Sequence, residues 1–164
     1  MILGISALTF VHTLLSLIAL VAGVVVMVGL TGSRTLPLWS VLFLVTAVAT
    51  SVTGFFFPFE RFLPSHWFGV ISLVALAVAI LARYGFHYAG AWRWLYVVTA
   101  LLATYLLAFV TIVQSFQKVP SLHALAPTQS EVPFAIAQLL ALLVFVVVGY
   151  FAVRRFHGPT ATFA

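Results

Sequence analysis

Cysteine is absent, acidic residues number only two, and charged residues of every kind make up just 5% of the 164 positions. The missing thiols exclude disulfides, thiolate metal sites, iron–sulfur clusters and a cysteine nucleophile, so any metal or haem must be held by His, carboxylate, Met or Tyr. The scarcity of carboxylates leaves Glu60 and Glu131 as the only ones available for general acid–base chemistry. The low charge also leaves too little polar surface to dissolve a soluble domain. No soluble domain is expected anywhere in the chain.

What the chain has instead is apolar residue in long blocks: 65% of its positions are hydrophobic, and its mean hydropathy is +1.27. Five runs fill most of the length, at 2–30, 36–59, 66–84, 92–116 and 133–153, followed by a tail over 154–164. A membrane-spanning helix needs about 20 predominantly apolar residues. Each run meets or nearly meets that length, with its charges at or outside the ends. The expected fold is therefore an all-α integral membrane protein, a single transmembrane domain of five helices over 1–164. The first run is not read as a signal peptide, because no Lys or Arg precedes it and it far exceeds an h-region of about 7 to 15 residues.

The net charge of +5 and a pI near 10.3 would suggest nucleic acid as partner in a soluble chain. Here the basic residues stand singly at helix ends, where they orient the protein. Arg34, Arg83, Arg93, Arg154 and Arg155 fall on one face, and Arg61 and Lys118 on the other. The positive-inside rule makes the first face cytoplasmic, with the N-terminus outside and the C-terminus inside. Trp39, Trp92, Trp94, Tyr84, Tyr88 and Tyr96 are expected to form an inner aromatic belt. Trp67 and the Phe55, Phe56, Phe57 and Phe59 cluster mark the outer boundary.

An internal repeat is visible when the spans are paired. WSVLFLVTA at 39–47 and WRWLYVVTA at 92–100 agree at five of nine positions, and His12 and His66 stand near the outer ends of the preceding spans. Spans one and two therefore read as a duplicate of spans three and four, giving a four-helix bundle with a fifth helix appended. Small and hydroxyl residues recur at helical spacing on one stripe of each span, which is how helices pack closely in lipid. The stripes run through His12, Ser16, Ala19 and Gly23; through Thr46, Thr50, Thr53 and Phe57; through His66, Gly69, Ser72, Ala75 and Ala79; and through Ala100, Thr104, Ala108, Thr111 and Ser115.

Candidate chemistry gathers on the outer side. His12 and His66 lie at similar depth, about 20 residues from the inner boundary. Glu60, His123 and Glu131 occupy outer loops with Gln114, Gln117, Lys118 and Gln129. Haem b would need His12 and His66 on opposite faces of the iron. A divalent metal would draw on His12, His66, His123, Glu60 or Glu131. A quinone head group would need a His or Gln donor among aromatic rings. The plain alternative is that both histidines hydrogen-bond within the bundle and lock it. In the outer loop, Ser121–Leu125 is expected to form a short helical turn, with Thr128, Ser130 and Glu131 capping the fifth span. His87 and His157 are expected in solvent on the inner side.

The phrases TGFFFPFERFLPSH at 53–66, GAWRWLYVVTALLATYL at 90–106 and SLHALAPTQSEVPFAIAQ at 121–138 resemble a group of uncharacterised small multi-span inner-membrane proteins of bacteria, particularly proteobacteria. That resemblance implies a bacterial inner-membrane location and the helix count, and carries no activity. The first span is also similar in outline to haem-binding membrane bundles. The functional expectation placed first is an accessory or stabilising subunit that packs against other membrane protein subunits or itself. A haem-, metal- or quinone-binding redox protein comes second, and a transporter or channel third.

Overall fold

The computed structural model describes residues 6–57 and 64–158, with the backbone alone for 64–66. Within them the chain is helical without strands: α1 (Ala7–Thr31), α2 (Pro37–Gly54), α3 (Pro64–Ile80) running on into a π-helical turn (Leu81–Gly85), α4 (Trp92–Lys118), the short α5 (Pro120–Leu125) and α6 (Val132–Arg155). Five of these are long and apolar enough to cross a membrane, with mean hydropathy between 1.6 and 2.7 over their best windows. The helix count expected from the apolar runs is thus present.

The ends of the helices follow local chemistry rather than hydropathy. Span one was expected from residue 2, yet α1 is capped at Ser6, whose Oγ accepts from the Thr9 N–H at 3.1 Å. Span two was expected to reach 59, but α2 stops at Gly54 and a turn carries Phe55 and Phe56; residues 58–63, with Glu60 and Arg61, lie outside the described residues. Pro37, Pro120 and Pro133 each stand in the first turn of a helix, where a missing N–H leaves no bond unmade. Leu36, before Pro37, takes a left-handed conformation at φ 41°. That strained position is held by packing, because the Leu36 side chain fills the space a Cβ on Gly29 would occupy.

Packing closes a ring. α1 lies against α2, α2 against α3, α3 against α4 and α4 against α1, while α6 touches both α4 and α1. One end of the bundle holds His12, the end of α2 and α5. The opposite end holds the α1–α2 and α3–α4 connections and the C-terminus of α6, where the His157 N–H donates to Ser33 Oγ at 3.1 Å. The dense core lies toward this second end, with Ala19, Ala22, Val26, Phe43, Tyr96 and Ala100 among its most buried members. Small residues make the contact possible: a Cβ on Gly23 would stand 2.7 Å from Thr104 Cγ2 and Oγ1 and 3.0 Å from Phe43. Helix α6 is the exception, with only 11% of its apolar window buried.

Helices α2 and α4 carry matching details 53 residues apart. Thr46 Oγ1 donates to the Leu42 and Phe43 carbonyls, and Thr99 Oγ1 to those of Leu95 and Tyr96. Ser51 Oγ donates to Ala47 and Thr104 Oγ1 to Ala100. Phe43 and Tyr96 are both completely buried.

Candidate functional site

Two polar constellations occupy opposite ends of the bundle. At the His12 end, residues of α1 to α4 line a cavity of about 560 Å³. It reaches from the level of Thr50, Ser51 and Ser72 to the helix ends at Thr9 and Lys118. Phe55, Phe57 and Phe68 supply aromatic wall, and Gln114 and Lys118 stand on α4 toward the mouth.

The hydrogen bonds define what this cavity can offer a ligand. Each hydroxyl has one proton to donate. Ser16 gives its proton to the His12 carbonyl, Ser51 to Ala47, Thr111 to Leu107 and Ser115 to Thr111. Their remaining lone pairs make the wall rich in acceptors. Thr50 differs: it is only 7% exposed, lines the cavity, and its Oγ1 has no protein partner. A buried hydroxyl left unpaired costs roughly 1–3 kcal/mol.

His12 stands on α1 with Nδ1 2.9 Å from Thr53 Oγ1, its ring edge-on to Phe57 at 5.1 Å between centroids. Thr53 Oγ1 donates its proton to the Ala49 carbonyl at 2.8 Å. The network therefore assigns the Nδ1 proton to His12, which donates to Thr53 and keeps a lone pair on Nε2. A neutral imidazole in this tautomer is an acceptor or a ligand nitrogen.

The remaining expected site residues separate. His66 belongs to α3, but its side chain lies outside the described residues, as does Glu60, so the His12–His66 pair is not among the observed contacts. His123 is exposed on α5 and does not line the cavity. Glu131 does not cap α6 with its side chain, contrary to expectation. Its carboxylate instead folds back onto the preceding turn, accepting from Thr128 N and Oγ1 and from Ser130 N. The slight loss of solvent would raise its pKa, but these hydrogen bonds outweigh that and hold it below the usual carboxylate value. Among the described residues no group of three His or carboxylate side chains is placed to hold a metal ion.

The second constellation escaped the sequence reading. Arg83, expected as a charge at a helix end, is only 9% exposed, and Tyr88 and Tyr96 are internal rather than part of an interfacial belt. Arg83 Nη1 donates to the Tyr88 hydroxyl and, at 3.4 Å, to the Thr35 carbonyl. That carbonyl also accepts from Ser40 Oγ at 2.8 Å, and Tyr96 donates to Ser40 at 3.4 Å. Burial pushes the Tyr88 phenol well above its ordinary range, with Arg83 pulling the other way. The cause is local geometry. The π turn closes with Phe86 N–H to Leu81 and Tyr88 N–H to Ala82, and left-handed His87 and Tyr88 bend the chain back under Arg83. The only available signal was an Arg followed five residues later by a Tyr at the end of an apolar run.

Comparison with protein-family models, with curated proteins and with solved structures finds no match to this chain.

Proposed function

We propose that this is a multi-pass protein of the bacterial inner membrane, its His12 end outward, that binds the ring of a quinone-class lipid in the cavity between its first four helices. The unpartnered Thr50 hydroxyl carries the reading, because a polar group so thoroughly buried calls for a ligand or water to pair with it. The cavity volume suits one ring-sized head group, walled by aromatic and aliphatic side chains with a few convergent polar groups. Its acceptor-rich wall, with the Nε2 lone pair of His12, favours the reduced form, whose two hydroxyls are donors. Gln114 and Lys118 could donate to ring oxygens nearer the mouth.

Equilibrium titration of the detergent-purified protein with a short-chain benzoquinol, followed by tryptophan fluorescence, tests this. Thr50→Val and His12→Leu are each expected to weaken binding about tenfold, since one hydrogen bond in such a site is worth about 1–1.5 kcal/mol. Absence of saturable binding, or binding indifferent to both substitutions, would sink it.

Haem is the second reading, supported by the same tautomer, since a ligating His holds its other N–H on a second partner as His12 does on Thr53. An absorption spectrum with a haem Soret band in the purified protein would select it. The accessory-subunit role rests on the exposed apolar length of α6, which offers a larger complex a face as readily as it offers lipid one. We also propose that α1–α2 and α3–α4 are a duplicated unit related by a twofold axis near the membrane normal. The paired hydroxyl bonds and the ring of contacts support that relation.

A further inference from the structure

Helices α4 and α6 flank a second recess, a shallow open groove of about 580 Å³ at the Arg83 end, away from the His12 cavity. Its walls are apolar: Val98 and Leu101 from α4, Val146, Gly149 and Val153 from α6. Its rim carries two cations. Arg93 lies in the first turn of α4 and Arg154 in the last turn of α6, and the antiparallel course of the two helices brings both to the same level. The Arg154 guanidinium lies over the Tyr150 ring at 5.2 Å, so the aromatic face supports it while its N–H groups remain available. No acidic residue occurs between Glu60 and Glu131 or after Glu131 in the sequence, so α4 and the far end of α6 contribute no carboxylate to this rim. The first turn of α4 adds its own partial positive charge, and its cap, Ala91, supplies no side-chain acceptor.

Paired arginines above an apolar slot match one ligand chemistry: a phosphate ester joined to a hydrocarbon chain. We infer that the α4–α6 groove is a binding site for an anionic glycerophospholipid. Arg93 and Arg154 take the phosphate, for which the planar guanidinium fork is suited. One acyl chain lies along Val98, Val146 and Val153, over a floor set by Gly149. Gly149 lets the helices meet, since a Cβ there would come within 2.5 Å of Leu101. Basic pockets between membrane helices take anionic head groups by this combination of charge and apolar contact. The assignment is independent of the His12 cavity and of its ligand.

Native mass spectrometry of the full chain, released from micelles containing equal phosphatidylglycerol and phosphatidylcholine, reads the site directly. Retention of phosphatidylglycerol in preference to phosphatidylcholine is expected, falling about tenfold in R93Q/R154Q and by less in R93K/R154K, which keeps the two charges but not the guanidinium forks. R34Q removes another arginine at the same end that does not line the groove, and should retain lipid like the parent chain. Equal retention of the two lipids, or a loss in R34Q as large as in the double variant, would reduce the effect to general surface charge and overturn the site. Displacement of the lipid by millimolar inorganic phosphate would point to a soluble anion instead and also overturn it. So would a lipid-free dimer abolished by R93Q/R154Q, which would give the groove to a second copy of the chain.

Discussion

Glycine at position 23 illustrates how little space separates a working helix contact from a blocked one. Thr104 is fully buried and its hydroxyl is committed to the Ala100 carbonyl, so it cannot rotate away from a new methyl group without losing that bond. Phe43 closes the other side of the same site. Gly23→Ala is therefore expected to destabilise the folded protein by about 1–3 kcal/mol despite the better helix propensity of alanine. A lowered midpoint of thermal unfolding in detergent checks this. An unchanged or raised midpoint would mean that α1 and α4 can separate without penalty. The importance of this glycine was legible in the small-residue stripe through Ser16, Ala19 and Gly23. Which partner side chain it faces was not, because Thr104 lies on another helix 81 residues away.

Among the elements, the π turn after α3 contributes most that a regular helix could not. Widening one turn by a residue shifts the phase of the side chains that follow by about 100°, since an α-helix advances by that angle per residue. With the left-handed pair at His87 and Tyr88, it returns the chain so that Tyr88 packs edge-on against Tyr96 at 5.1 Å and Phe156 at 5.4 Å. This joins the ends of α2, α3, α4 and α6 through one buried cation. Tyr88→Phe keeps the ring but removes the acceptor for Arg83, whose Nε already lacks a partner. The substitution is expected to cost about 1–3 kcal/mol and to speed hydrogen exchange across 81–88 more than in α1. Exchange that rises equally throughout the bundle would show that the turn is not a separate unit.

For the whole molecule, sidedness and internal symmetry can be tested together, because a chain without cysteine allows single thiols to be introduced cleanly. Ser121→Cys is expected to react with a membrane-impermeant maleimide added to intact cells. A cysteine at Gly158 should react only after the membrane is opened. Under the proposed duplication, the contact between Ser51 and Ser72, 3.2 Å apart across α2 and α3, corresponds by the 53-residue offset to Thr104 and Ala19 across α4 and α1. Both S51C/S72C and A19C/T104C should then form crosslinks under mild oxidation. Labelling of Gly158→Cys from outside would reverse the orientation. A crosslink in the first pair alone would end the duplication.

Composition and hydropathy by themselves determined that the chain is helical and how many long apolar helices it has. Those properties depend on local length and polarity: a run of about 20 apolar residues can satisfy its backbone in lipid only within itself. Proline placement and the Ser6 cap are local in the same sense. Tertiary structure alone decided which polar groups meet. His12 finds Thr53 and Arg83 finds Thr35, pairs 41 and 48 residues apart, through helix faces whose rotation is set by packing. The cavity around Thr50 is likewise a property of four helices together. No single run encodes it, because its lining is drawn from four separate helices, with Phe55, Phe57 and Phe68 among the side chains that wall it.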